Sequence, residues 1–159
     1  MTELEKYTDK LTVQESNSAS DSAALLPFVE VLTASGEKTG LAFHGVPGGH
    51  EFTSFILGLY NAAGPGSPLT LPSENVSSLS TISAHADPGI PFLYHVPGSC
   101  DGHTRIASLN PLVTAEVYDI AHFPDLKEKY HVMSVPCLII NQDKTSFGKK
   151  NIQQILELI

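Results

Sequence analysis

Basic charge is scarce in this chain. Nine Lys and Arg stand against seventeen Asp and Glu, a formal net charge of −8 over 159 residues. No Lys/Arg cluster is present to displace counterions, so a life on nucleic-acid backbone is not expected. Long apolar runs are missing too. The longest, Val135 to Ile140, contains Pro136 and is far too short to cross a bilayer. The start, Met1-Thr2-Glu3-Leu4-Glu5, has neither a basic n-region nor an apolar h-region, and no secretory signal is expected from it. Two cysteines, Cys100 and Cys137, are too few for a disulfide framework. What is left is the expectation of a soluble, cytoplasmic protein without a membrane span. With 42% hydrophobic residues it has enough chain for one ordinary domain or two small ones with a real core.

Turn-forming residues divide the chain in two. Residues 64–78 carry three prolines and two glycines among small polar residues and cannot hold a helix or a central strand. The expected organisation is a first unit over 1–66, a linker over 67–79 and a second unit over 80–159. Ser16 to Ala24 reads as a further loop. In the first unit, Lys10 to Glu15 alternates weakly as a short strand, and Pro27 to Leu32 is a better one. A turn at Ala34-Ser35-Gly36-Glu37 leads to the returning strand Gly40 to Phe43. Phe52, Phe55, Ile56 and Leu59 then fall on one face of a helix ending near Asn61. The order is β-β-β-α.

In the second unit Val113 to Tyr118 reads as a strand. Pro124 sits in the first turn of a short helix through Tyr130, where its missing N–H does no harm. Val135 to Asn141 is a strand led by a proline, Thr145 to Phe147 its partner, and Ile152, Ile155, Leu156 and Ile159 mark a closing amphipathic helix. The pattern reads β-α-β-α-β-β-α, with the first strand and helix the least distinct.

That order, with a proline at the head of the third strand, resembles a thioredoxin fold, and the fold class expected is α/β. Asn110-Pro111, Val117-Tyr118-Asp119, Val132-Met133-Ser134-Val135-Pro136 and Phe147-Gly148-Lys149-Lys150 resemble the second unit of the tandem thioredoxin-like family. That family includes glutaredoxin-like protein disulfide oxidoreductases and the N-terminal domain of the alkyl hydroperoxide reductase flavoprotein. Asp9-Lys10-Leu11-Thr12-Val13 and Gly45-Val46-Pro47-Gly48-Gly49-His50-Glu51-Phe52-Thr53-Ser54 resemble parts of its first unit. The resemblance implies a thiol–disulfide oxidoreductase in cell redox homeostasis, with protein disulfides as substrates. It also implies a thioredoxin-reductase-like flavoprotein or a peroxidase as partner, and no cofactor in the chain itself.

Two departures limit what carries over. The family's first unit opens with a strand and a helix that have no counterpart here. Its Cys-x-x-Cys-Pro motif is absent as well: Leu93 and Val96 stand where the resemblance puts the dithiol. If Leu93 is encoded CTG and Val96 GTG, reading one base later gives TGT and TGC, both cysteine. A Cys-Thr-Met-Cys-Pro motif would then begin 43 residues ahead of Pro136. Compensating frame errors between about Ser83 and His103 would account for the segment.

The candidate catalytic residues are Cys100, Cys137 and Glu51, with Val135 and Pro136 as the binding element. Asp101 beside Cys100 disfavours a thiolate, and no third-position cysteine resolves a mixed disulfide, so a plain loop cysteine is the simpler reading. Cys137 opens a Leu/Ile strand and reads as a small buried hydrophobe behind a proline whose bond the resemblance implies is cis. Glu51 favours a helix entry; the alternative is a carboxylate relaying protons across the cleft to the dithiol. His85, Asp87, His95, Cys100 and His103 crowd within nineteen residues, but scattered Gly and Pro argue for a polar loop rather than four converging zinc ligands, and no metal is expected. Pro97, Gly98 and Gly102 confine the helix there to about Thr104 to Leu109. Two functions stay open: an electron-transfer module impaired by its missing dithiol, and a redox-inactive protein-binding scaffold.

Overall fold

The computed structural model describes residues 11–15, 27–46, 51–63, 90–95, 101–110 and 112–158. Within these, six strands form one sheet in the order β1-β2-β4-β3-β5-β6. β1 (Phe28–Leu32) and β2 (Lys38–His44) make an antiparallel hairpin, closed where Thr33 N–H donates to Glu37 O at 2.8 Å and Gly36 takes φ 84°. The expected β-β-β opening loses its first strand. Residues 11–15 lie in no strand, because a weak alternation of mostly polar residues buries too little to hold an edge. The segment expected as linker lies outside the described residues.

Helix α1 (Glu51–Ala63) follows β2, two residues longer than its apolar spacing suggests. β3 (Ile90–His95), helix α2 (Asp101–Leu109) and β4 (Val113–Tyr118) form a β-α-β unit with parallel strands. Helix α3 (Pro124–Lys129) has its proline at the start, as expected. It leads to β5 (Cys137–Ile140), antiparallel to β3, then β6 (Lys144–Phe147) and helix α4 (Ile152–Leu156). The Asn151 side chain caps α4 by accepting from Gln154 N–H at 2.8 Å, while Gln154 returns a bond to Asn151 N–H. The element sequence from β3 to α4, β-α-β-α-β-β-α, is the one expected of the second unit.

The parallel pairing of β2 with β4, Leu41 opposite Ala115 and Phe43 opposite Val117, makes one continuous sheet of the two halves. β4 alternates along Val-Thr-Ala-Glu-Val, so Val113, Ala115 and Val117 join Leu41, Phe43, Leu138 and Ile140 on one face. Phe55 of α1, Ile106 of α2 and Ile155 of α4 cover that face. The opposite side holds a smaller cluster of Val132, Cys137 and Ile139 with Tyr130 and Phe147. β5 is therefore buried on both sides, which its run Cys-Leu-Ile-Ile suits.

Helix α2 starts three residues earlier than its breakers suggest. Gly102 lies against α4 so closely that a Cβ would come 2.9 Å from Ile155 Cδ1, and His103 and Thr104 are fully buried. Tertiary packing thus outweighs the low helix propensity of glycine. Gly40 marks the seam between the halves. It has φ 78°, and a Cβ there would stand 2.7 Å from the Val113 carbonyl oxygen. Gly40→Ala should lower stability by about 2–4 kcal/mol, from left-handed backbone strain plus a backbone clash. The urea midpoint would fall with little change in its slope, read by circular dichroism.

Candidate functional site

The three parallel strands end on one edge of the sheet, where ligand sites of open α/β sheets collect. β3 finishes at His95, whose register partner on the antiparallel β5 is Cys137, the strand's first residue. The cis Val135–Pro136 bond immediately precedes it, as the sequence led us to expect. Gly148 N–H donates to Pro136 O at 2.8 Å, tying the loop after β6 to the same point. Helix α2 begins at Asp101, six residues after His95. The end of β3 and the residue that follows the cis proline therefore meet at this edge.

The sequence-derived candidates distribute unevenly over this edge. Cys137 is 3% exposed, and burial pushes its thiol pKa up, which starves it of thiolate at neutral pH. Val135 is half exposed beside Pro136. Glu51 is the first residue of α1, which starts from the carboxyl end of β2. Leu93 lies inside β3, paired with Glu116 and Ile139, rather than in the first turn of a helix. Cys100 and Val96 fall outside the described residues, so the Cys100–Cys137 pairing is not brought to a distance. His103 is 1% exposed in α2, where burial lowers its pKa to about 3; it is a core side chain and not a loop ligand. Among the described residues no group of three His, Cys, Asp or Glu is placed to hold a metal ion.

The same edge carries polar residues that the sequence did not single out. His44, the last residue of β2, stacks on Tyr118, the last of β4, with centroids 4.1 Å apart and planes 4° apart. Tyr118 O–H donates to Glu116 Oε2 at 2.6 Å, and burial together with that carboxylate pushes the phenol pKa far up. Glu116 Oε2 lies 3.7 Å from His44 Nε2. One turn on, Asp119 Oδ1 accepts from Ala121 N–H while Oδ2 lies 2.6 Å from His122 Nδ1. Gly45, at φ 106°, lets Asp119 in: a Cβ would be 3.1 Å from the Asp119 Cβ. Strand alternation alone puts Glu116 and Tyr118 on one face. Only the parallel β2–β4 register adds His44, and that pairing has no local sequence signal.

Comparison with known proteins places this geometry. Residues 100–159 match the thioredoxin domain family. The crystal structure of the N-terminal N/C domain of alkylhydroperoxide reductase AhpF from Enterococcus faecalis superposes with a TM-score of 0.81 at 32% identity, covering 99% of this chain and 79% of that one. A protein disulfide oxidoreductase from Aeropyrum pernix shares the fold, with a TM-score of 0.64 at 21% identity over 89% of this chain and 64% of that one. The alkyl hydroperoxide reductase AhpF of Pseudomonas aeruginosa is 28% identical over 96% of this chain and 28% of its own length. The "NADH dehydrogenase" of Bacillus subtilis is 30% identical over 76% of this chain and 24% of its own. The chain thus spans about a quarter of the length of the curated relatives it matches. On the extent and identity of the match to the Enterococcus domain, this chain belongs to the thioredoxin-like family of the AhpF N-terminal domain.

Proposed function

We propose that the chain is a thioredoxin-type electron-transfer module whose thiol–disulfide exchange is impaired because no dithiol stands at Leu93 and Val96. The observation that carries this reading is the pairing of the β3 end, at His95, with Cys137 directly behind the cis proline at one edge of the sheet. In an intact motif, the thiolate of the first cysteine attacks a substrate disulfide and displaces one substrate thiolate, which takes up a proton. The second cysteine then attacks the mixed disulfide and releases the other, so the module leaves oxidised by two electrons. A reductase of the thioredoxin-reductase flavoprotein type would restore the dithiol, and a peroxidase or another protein disulfide would receive the electrons. Such a relay belongs in the cytoplasm, where thiols are kept reduced. Within this reading Glu51 relays protons to the exchanging sulfurs, and Val135 and Pro136 hold the substrate segment.

A redox-inactive binding scaffold is the second reading, and the buried, thiolate-poor Cys137 favours it. Insulin reduction by dithiothreitol separates the two. The parent should stay at background, and Leu93→Cys with Val96→Cys should raise turnover if residues from 93 onward wind into the helix instead of extending β3. Strong parent activity that Cys100→Ser abolishes would place the chemistry on Cys100 and end the impaired-module reading. An inert double variant would leave the scaffold as the better account.

A further inference from the structure

We infer that the outer end of the sheet, strand β1 with the flank of α1 above it, is a two-fold contact with a second copy of this chain. Among the described residues β1 is an outer strand of the sheet and pairs with β2 alone. Pro27 O accepts from Gly45 N–H at 2.7 Å, and the bonds of an antiparallel ladder alternate. Val29 and Val31 therefore direct their backbone groups to β2, whereas Phe28 and Glu30 turn N–H and C=O away from it. Such an edge is a template for another strand. The helix above is bare on the same side. Beyond Glu51, α1 carries no charged residue through Ala63. Asn61 Nδ2 donates to Thr104 Oγ1 at 3.3 Å, which sets that side of α1 against α2, while Phe55 and Gly58 face Phe43 of the sheet. At about 100° per residue, Phe52, Ile56 and Tyr60 fall on the flank turned away from α2. Phe52 and Tyr60 are each 45% exposed, and Leu32 in β1 is 49% exposed. A helix apolar on every side is ordinarily covered.

Symmetry selects the occupant. An antiparallel pairing of β1 with itself, centred on Glu30, sets Val29 opposite Val31 and Phe28 opposite Leu32. Val29 is the register partner of Phe43, the residue under Phe55 and Gly58, so the same axis crosses α1 near Ile56. Phe52 and Tyr60 lie four residues to either side of Ile56, so Phe52 of one copy meets Tyr60 of the other. One axis thus completes the strand edge and matches the helix flank to itself. The molecule joins its own halves in the same way, β2 edge to β4 edge with α1 beside α2. The charges at this end are Glu30 and Lys38, joined at 2.9 Å, with Glu37 in the hairpin turn and Glu51 at the start of α1. Lys38 offsets the two Glu30 carboxylates that the axis brings together, so like charge does not bar the contact. The face is about 20 Å long along α1 and about 20 Å across its two layers, near the low end of stable interfaces.

The test is sedimentation velocity of the full 159-residue chain over a concentration series reaching about 1 mM. The chain should pass from monomer to dimer with a midpoint of about 10–100 μM, as suits a contact of this size. Added salt should tighten the dimer, because each copy carries a net charge of −8. Tyr60→Lys and Lys38→Glu, both at exposed positions, should each weaken it about tenfold or more. Circular dichroism of the dilute variants should match the parent, which separates a lost contact from a lost fold. The amides of Phe28 and Glu30 should exchange readily in dilute protein and slow on dimerisation. A monomer throughout the series, a dimer indifferent to both substitutions, or growth beyond two copies would overturn the inference. So would protection of those two amides in the dilute monomer, which would mean that the chain covers its own edge. None of these readouts involves sulfur, so they stand apart from the exchange-module reading.

Discussion

Phe55→Ala should remove about 3–5 kcal/mol of stability, as large aromatic truncations in a closed core do. Phe55 is 1% exposed and meets the edge of Phe43 at a centroid distance of 5.2 Å with planes at 85°. Phe43 is in turn pressed by Gly58, where a Cβ would come 2.7 Å from its ring, so the ring cannot swing over to fill the void. The loss should appear as a fall in melting temperature of about 10 °C or more for a chain of this size. Phe52, one turn earlier on the same helix and 45% exposed, is the internal control. Phe52→Ala should stay within about 0.5 kcal/mol, because a surface substitution leaves no cavity. Equal losses at the two positions would mean that α1 does not present its 55 face to the sheet.

That helix was legible because its signal is local. Phe52, Phe55, Ile56 and Leu59 share a helical stripe, though the stripe did not say that Phe52 would lie at its exposed margin while Phe55 fills the core. The β5–β6 hairpin was equally legible, since an unbroken Cys-Leu-Ile-Ile run behind a proline suits only a strand buried on both faces. Two elements were not. The start of α2 depends on Gly102 seating against Ile155, a contact about fifty residues distant in sequence. The union of both halves in one sheet depends on His44 meeting Tyr118, again without local signal. The site divides the same way. The cis proline was read from a short motif, whereas the His44–Tyr118–Glu116 group and the Asp119–His122 pair appear only after the strands are paired.

Acid should destabilise the fold earlier than its carboxylates alone would. His103, fully buried in α2, has its pKa lowered from 6.5 to about 3 because burial penalises the imidazolium. Above pH 6.5 the ring is neutral in both folded and unfolded chains, and the full stability is present. Below that pH the unfolded chain takes up a proton that the folded chain refuses, so the equilibrium shifts toward unfolding. The slope approaches about 1.4 kcal/mol per pH unit and persists until the folded ring itself titrates. By pH 4.5 the loss from this one side chain should reach about 2–3 kcal/mol. Urea midpoints measured between pH 7.5 and pH 4.5, for the parent and for His103→Gln, isolate the effect, since glutamine keeps polar atoms in place but cannot take the proton. A variant that starts lower still answers the question, because the slope and not the level carries the result. Its curve should be flatter than the parent's by the amount stated. Parallel curves would mean that His103 accepts its proton in the folded chain, and that α2 does not bury its first turn against α4.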